Sequence, residues 1–290
     1  MERAFSKGAA RRSAAGKGRR RIRPGLLPHL EALYSRYNRR EFVAPDPLQF
    51  LFAYPDPFDR EIVGMIGSAL AFGNVKQILH SVDQVLAHMA PPRHFLDAAT
   101  RRSLERTFHG FRHRYITGRE LSALLWGMKQ AIERHGSLGA CYASGLQPDH
   151  PTVLPALQDY VQLLRAEGGL SKNYLLAEPA KGSACKRHHL FLRWMVRKDA
   201  VDPGGWEAIP PAKLIIPVDT HMHRIGLALG LTRRKQANLA AALEITAAFR
   251  KFAPEDPVRY DFSLTRLGIR KDTDLVGFLT ACRRPCKYVA

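Results

Sequence analysis

The sequence is poor in cysteine, lacks long uncharged apolar runs and has far fewer acidic than basic residues. Its 290 residues include four cysteines, at positions 141, 185, 282 and 286, whose spacing matches neither a paired metal site nor a disulfide framework. We therefore expect a reduced cytoplasmic protein rather than a secreted one. The uncharged run of the first apolar block, residues 62–75, has 14 residues, whereas a membrane-spanning helix needs about 20. We expect no membrane partner.

Runs of alternating β-branched residues are also scarce, and helical periodicity dominates. Asp56-Pro57 is typical of an N-cap followed by proline at the first helical position, and apolar residues then recur on one face as far as Leu70. Further helices are predicted at residues 26–37, 75–89, 121–132, 154–164, 185–197, 219–229, 235–252, 257–267 and 274–282. The best strand candidate is residues 214–218, which is short and contains a proline. These patterns predict an all-α protein whose middle and C-terminal helices form two lobes around a cleft.

Positive charge is concentrated in two places. The sequence has 45 Lys and Arg against 26 Asp and Glu, a formal net charge of +19. Residues 1–23 carry nine basic residues and one acid among Ala, Gly and Ser, so we predict a disordered basic arm at residues 1–24 and one helical domain at 25–290. The arm could grip phosphates, be a solvated extension or act as a transit peptide. Residues 181–235 hold 11 basic residues and four acids, which favours a polyanionic partner, above all nucleic acid.

A small-residue hairpin within this basic segment has features typical of a phosphate-binding site. Residues 178–187 read EPAKGSACKR, and proline and glycine break the chain before an apolar helix. The backbone N–H groups of residues 183–185 would lie at a helix start, where donors and helix dipole both favour an anion. Lys186 would lie in the first turn, close to that anion.

A second motif, residues 216–225, reads IPVDTHMHRI and starts another helix. Asp219 follows an extended stretch after Pro217, so its carboxylate is predicted to cap the helix at a junction facing the cleft.

Together these motifs resemble the helix-hairpin-helix DNA glycosylases of the endonuclease III superfamily. The likeness rests on Gly182-x-x-x-Lys186, an apolar helix, then Val218-Asp219-Thr220-His221 followed by Arg224 and Leu229-Gly230. Residues 27–271, including 191–198 and 202–206, also resemble a bacterial family labelled only as a domain of unknown function. The superfamily likeness is narrower, mainly residues 182–231.

The superfamily resemblance implies a fold of endonuclease III type with a helix-hairpin-helix motif, and it assigns roles to individual residues. Lys186 matches the nucleophile that attacks the sugar C1′, and Asp219 matches the carboxylate that assists it. Gly182 and Ala184 match the hairpin positions that hold a phosphate, and residues 73–76 match the side chains that fill the space of a flipped nucleotide. The DNA-binding residues expected are Lys181, Gly182, Ser183, Ala184, Cys185, Arg187, Asn74, Lys76, His221 and Arg224.

The sequence departs from the superfamily in three respects. Ala184 replaces the second hairpin glycine, so a positive φ there would be strained. Lys186 and Asp219 are 33 residues apart, as in the archaeal 8-oxoguanine glycosylases, and residues 199–211 read as an inserted loop. Only Cys282 and Cys286 lie near the C-terminus, so no four-cysteine iron–sulfur cluster can form there and no cofactor is expected.

The resemblance implies a monomeric, nucleoid-associated DNA glycosylase with β-lyase activity, acting on double-stranded DNA that contains a damaged base, oxidised purines being one candidate. A base must be flipped out of the duplex before such attack. Two alternatives stay open: a metal-dependent nuclease or phosphohydrolase using Asp219, His221 and His223, and a non-catalytic DNA-binding protein. Trp206, in a Gly-Gly loop, is a candidate for stacking on a base.

Overall fold

A computed structural model describes residues 25–170, 172–270 and 272–282, and within them the all-α prediction is confirmed. The predicted basic arm and Cys286 lie outside the described residues. The α-helices are α1 (Leu26–Tyr37), α2 (Pro57–Ala69), α3 (Val75–Leu86), α4 (Pro92–Ala98), α5 (Arg101–Thr107), α6 (Gly118–His135), α7 (Leu138–Ser144), α8 (Leu154–Gly168), α9 (Lys186–Val196), α10 (Thr220–Leu229), α11 (Leu239–Phe249), α12 (Asp261–Ile269) and α13 (Leu275–Ala281). Short 3-10 helices lie at Arg40–Phe42, Pro47–Ala53, Pro179–Lys181 and Pro211–Lys213, and a two-residue hairpin pairs β1 (Arg112–His113) antiparallel to β2 (Ile116–Thr117).

The predicted helix starts agree with the structure at α2 and α10, whereas α6 begins three residues before its predicted start and α11 begins four residues after it. Asp56 accepts a hydrogen bond from the Phe58 N–H, and α2 begins at Pro57. The predicted strand at residues 214–218 is wrong. This segment is buried but extended, and the Ile216 N–H donates to the hydroxyl of Thr246 at 3.0 Å instead of to a neighbouring strand.

The helices pack in two groups that share one continuous hydrophobic core. In the first group α6 packs against α5, α7 and α8; in the second, α12 packs against α1 and α10. The contact between α2 and α9 joins the groups. Glycines allow α6 and α8 to approach closely, because a Cβ at Gly127 would lie 2.4 Å from the Leu164 carbonyl oxygen.

A buried ionic network holds α9 against its surroundings. The Arg193 guanidinium contacts Asp202 at 3.1 Å and also pairs with Asp261, the first residue of α12. Arg197 pairs with Asp202 and with Asp256, the latter at 2.9 Å. Fully buried charges require such partners. The network therefore ties α9 to α12 and to the segment that follows α9.

The segment 199–211 is accordingly anchored rather than a free loop. Trp206 is 5% exposed, packs against Phe191 and donates its indole N–H to Glu61 at 2.9 Å. The same carboxylate accepts from the N–H groups of Leu138 and Gly139 at the start of α7. The prediction that Trp206 is available to stack on a base is therefore wrong. Among the helices of the described residues, none has both the length and the apolar character of a membrane span.

Candidate active site

The hairpin before α9 is short and tightly bonded. It follows the 3-10 helix Pro179–Lys181 and turns at Gly182, whose φ of +75° is in the left-handed region. The Gly182 carbonyl accepts from the Leu239 N–H at 3.1 Å, so the hairpin is fixed to the start of α11. The strained position expected at Ala184 falls instead at Cys185, with φ +46° immediately before Lys186.

Cys185 contributes its backbone rather than its thiol to this region. Its side chain is buried, and burial raises the pKa of the thiol to about 11. Its N–H donates a hydrogen bond to the Ser183 hydroxyl oxygen at 3.2 Å. A protonated thiol is a poor nucleophile, so the Cys185 side chain is not a candidate for covalent chemistry at this pKa.

Asp219 divides its two carboxylate oxygens between structure and site. Oδ1 accepts from the Met222 N–H at 2.9 Å, which is the predicted N-cap of α10. Oδ2 lies 3.9 Å from Nζ of Lys186, an ion-pair distance longer than a direct hydrogen bond. The structure therefore brings together the two residues that the sequence places 33 positions apart.

The pair lies on the wall of a cavity with a volume of about 910 Å³. The Lys186 and Asp219 side chains are 31% and 26% exposed, so both can be reached from it. The remaining wall comes from residues 71–73 after α2, from α3 and from the starts of α10 and α11. This volume lies within the range of ordinary ligand pockets.

Four helix N-termini converge on this cavity. Its wall includes the N-cap or first residue of each of four helices: Cys185 and Lys186 for α9, Asp219 and Thr220 for α10, Asn238 for α11 and Val75 for α3. Each N-terminus carries about half a positive charge from the aligned peptide dipoles. These dipoles and the lysine contribute positive potential that favours an anion such as a phosphodiester, and the Asp219 carboxylate on the same wall opposes part of it.

Some of the other predicted DNA-binding residues line this cavity, and the rest lie outside its wall. Gly182, Ser183, Ala184 and His221 line the cavity. Lys181 is exposed nearby but pairs with Glu178 at 2.6 Å, and Arg224 is an exposed residue of α10. Asn74 caps α3 by accepting from the Lys76 N–H at 2.9 Å, and both residues are exposed beside Gly73 and Val75 of the wall.

Arg187 is bonded to the protein rather than presented as a free surface cation. Its guanidinium donates to the carbonyls of Ala69 at 2.6 Å and of Tyr174, and it lies 4.9 Å from the centre of the Phe72 ring. Burial lowers the pKa of Arg187. The side chain therefore fixes the start of α9 to the end of α2 and to the segment around Tyr174.

The three residues of the metal alternative do not form a ligand set. His223 is buried, and its Nε2 contacts the Arg234 carbonyl at 2.8 Å, whereas His221 and Asp219 line the cavity. Within residues 25–170, 172–270 and 272–282, no group of three His, Cys, Asp or Glu side chains could hold a metal ion.

Asn238 and Phe72 are among the wall residues that were not predicted from the sequence. Asn238 caps α11 by accepting from the Ala241 N–H at 3.0 Å and pairs with Ser183 of the hairpin. Phe72 also lines the cavity, and the Arg187 guanidinium lies over its ring. The asparagine before an apolar run was a visible capping signal, but no local pattern connects Phe72 with residues more than 100 positions later.

The family of this chain is shown by a match over most of its length. Residues 46–270 match the family described as "Protein of unknown function (DUF2400)". The chain belongs to this family. The DUF2400 match includes the hairpin, both members of the Lys186–Asp219 pair and the whole cavity wall. No curated protein and no solved structure matches the chain.

Proposed function

We propose that this DUF2400 protein is a DNA glycosylase with β-lyase activity that acts on a damaged base in double-stranded DNA. The observation that carries the proposal is the 3.9 Å approach of Lys186 Nζ to Asp219 Oδ2 on the wall of the cavity. An amine and a carboxylate in this relation are the groups needed to attack C1′ and to stabilise the positive charge that develops on the sugar.

The reaction uses the two side chains in sequence. After Lys186 has given up a proton, its Nζ forms a bond to C1′ while the bond from C1′ to the base breaks and the base leaves with the electron pair. Asp219 stabilises the cationic sugar by its charge. Opening of the sugar ring yields an imine between Nζ and C1′. Removal of a C2′ proton then expels the 3′ phosphate, which cuts the strand.

The positive potential of the cavity supports a DNA substrate. Flipping a nucleotide out of a duplex costs a few kcal/mol, and contacts with its phosphates offset part of that cost. The helix N-termini at α3, α9, α10 and α11 supply such contacts from the main chain, and the hairpin at Gly182 places donors next to Lys186.

Borohydride trapping on lesion-containing duplexes tests the proposal. Reduction of the imine should link the protein covalently to DNA for at least one lesion in a panel that includes oxidised purines. Lys186→Gln should abolish the adduct. Its affinity for DNA should stay within about threefold of that of the unchanged protein, because Lys186 is only one of many cations that contribute to binding. Lys251→Gln, at an exposed lysine outside the cavity wall, is the matched control and should keep the adduct.

Two results would contradict the proposal. One is the absence of an adduct on every lesion tested, with DNA binding intact, which would favour the non-catalytic DNA-binding alternative. The other is strand cleavage that survives Lys186→Gln and is lost on treatment with a chelator, which would favour a metal-dependent nuclease.

A further inference from the structure

A strip of three aromatic rings leads away from the active-site cavity. Phe72 lines the cavity, and its ring centre lies 5.4 Å from that of Tyr115, which in turn lies 5.4 Å from that of Tyr174. Tyr115 and Tyr174 are 56% and 59% exposed. The strip therefore runs from half-buried Phe72 on the cavity wall to two exposed tyrosines.

Two further cavities border the strip and connect it with the reactive site. Their volumes are about 650 and 380 Å³, and Tyr115, Lys172 and Tyr174 line both. The smaller one shares Ser183 and Arg187 with the wall of the active-site cavity. The two cavities are therefore adjacent, and a strand bound at Lys186 would pass Ser183 and Arg187 on the way to Tyr174.

The charge beside the strip is positive. Arg119 and Lys172 are exposed, and neither has an ion pair or a side-chain hydrogen bond within the described part of the chain. The two acids of these cavities are already bonded: Glu120 accepts from the Thr117 N–H, and Glu178 pairs with Lys181. An occupant with negative charges spaced along it is therefore favoured over an apolar peptide.

The strip is held in place by Arg187. Its guanidinium lies over the Phe72 ring and donates to the Tyr174 carbonyl, so two members of the strip are bonded to the residue that follows Lys186. Prearranged rings lose little conformational freedom on binding.

We propose that the strip Phe72–Tyr115–Tyr174 binds unpaired nucleotides of the substrate strand next to the flipped one, with bases stacked on the two tyrosines and phosphates near Arg119 and Lys172. Alternating aromatic rings and cations form the surface on which single strands bind, because every base has a face that can stack. The inference rests on the proposed function, because that function places the flipped nucleotide at Lys186, from which the bound strand would continue. It narrows the substrate to DNA with single-stranded character beside the lesion, such as a gap, a bulge or a frayed end.

Anisotropy titrations of the full-length chain with a fluorescent 15-mer of thymidine test the strip. The double variant Tyr115→Ala/Tyr174→Ala should weaken single-strand binding by about tenfold or more for each ring. The double variant Tyr115→Phe/Tyr174→Phe keeps the rings and should bind within about threefold of the unchanged protein. Phe58→Ala is the matched control, because Phe58 is also an exposed aromatic with a cation over its ring, Arg93, but lies on none of the three cavities.

A titration with a blunt duplex of the same length distinguishes a loss of base stacking from a loss of general affinity for DNA. The alanine variant should bind it within about twofold of the unchanged protein. An equal loss of affinity for the single strand and for the duplex, or no loss for either, would overturn the proposal that the strip binds unpaired nucleotides. If the borohydride adduct forms but the alanine double variant binds the single strand as tightly as the unchanged protein does, only the proposal for the strip is contradicted. If single-strand binding depends on them and no adduct forms, the glycosylase proposal fails and the strip stands.

Discussion

The carboxylate of Asp219 serves two purposes at once, because one oxygen caps α10 and the other faces Lys186. The cap is explained by the sequence alone, since Asp after an extended Pro-Val stretch is a strong helix-start signal. The approach to Lys186 is a tertiary contact that was expected only from the resemblance of the two motifs to glycosylases. The two purposes can be separated by substitution.

Asp219→Asn should keep the helix and lose the reaction. Asparagine caps helices about as well as aspartate, and a half-exposed ion pair contributes about 0–1 kcal/mol, so the free energy of unfolding should change by less than about 1 kcal/mol. The rate of borohydride trapping should fall by about 100-fold or more, because the developing positive charge loses its counter-charge. Urea unfolding and single-turnover trapping measure the two effects. Asp219→Ala should in addition lose about 1 kcal/mol of stability. Undiminished trapping by the asparagine variant would remove Asp219 from the mechanism.

Trp206 shows where inference from single residues fails. A tryptophan after two glycines has the local pattern of an exposed loop residue, yet its indole is buried against Phe191 and bonded to Glu61. The deciding partner is 145 positions away in the sequence. Local composition contains no information about such a contact.

Among the elements of the described residues, every α-helix of nine or more residues was predicted, with some differences in bounds, whereas only α13 of the four seven-residue α-helices was predicted. The predicted bounds of α1 agree with the structure, and α10 begins after its predicted cap. The seven-residue helices α4, α5 and α7 were missed, because fewer than two turns give little periodicity to detect. The apolar stretch at residues 214–218 reads as a strand, but a strand needs a neighbour, which no local pattern can supply.

The hairpin turn at Gly182 should affect function more than stability. Gly182 and Gly136 both have positive φ, +75° and +88°, and a Cβ at either would meet no atom within 4 Å. Gly182→Ala and Gly136→Ala should therefore each cost about 1–2 kcal/mol from backbone strain alone. Only Gly182→Ala should lower borohydride trapping, by about tenfold, because Gly136 ends α6 and lies outside the cavity wall. Equal trapping by the two variants would mean that the hairpin does not position the substrate.

The ionic network between α9 and α12 predicts a pH dependence of stability. Burial raises the pKa of Asp261 to about 6, with Arg193 opposing the shift and Asp219 adding to it. Since the unfolded value is near 3.8, the folded state binds the proton more tightly between these two values. The stabilisation from this group is present below about pH 4 and is lost as the pH rises through about 6.

Comparison with Asp261→Asn isolates that contribution. The free energy of unfolding of the unchanged protein, minus that of the variant, should decrease from about pH 4 to about pH 6 and then level off. Urea titrations across this range measure it. A difference that increases with pH would show instead that Arg193 keeps Asp261 ionised.

At the scale of the whole molecule, composition alone showed the excess of positive charge, but it did not predict where that charge lies in the folded protein. The sequence indicates a basic segment at residues 181–235. The convergence of four helix N-termini on one cavity follows from packing between α2, α9 and their neighbours, and no local pattern predicts it.

Removal of residues 1–24 should change the salt dependence of DNA binding without changing the melting temperature. The first 23 residues carry nine basic residues and one acid, and each phosphate contact contributes about 0.9 to the slope of log K against log salt. The slope should become shallower by several units if the arm binds DNA. A full-length variant with these basic residues changed to Gln controls for length. An unchanged slope would show that the arm does not contact DNA.

The source of the positive potential in the cavity affects how the site can change over evolutionary time. Potential that comes from the main chain at the starts of α3, α9, α10 and α11 survives any single substitution of a side chain. A descendant that had lost both the lysine and the aspartate would keep these four helix starts around the same cavity. A new anion-directed activity could then arise there without any change of fold.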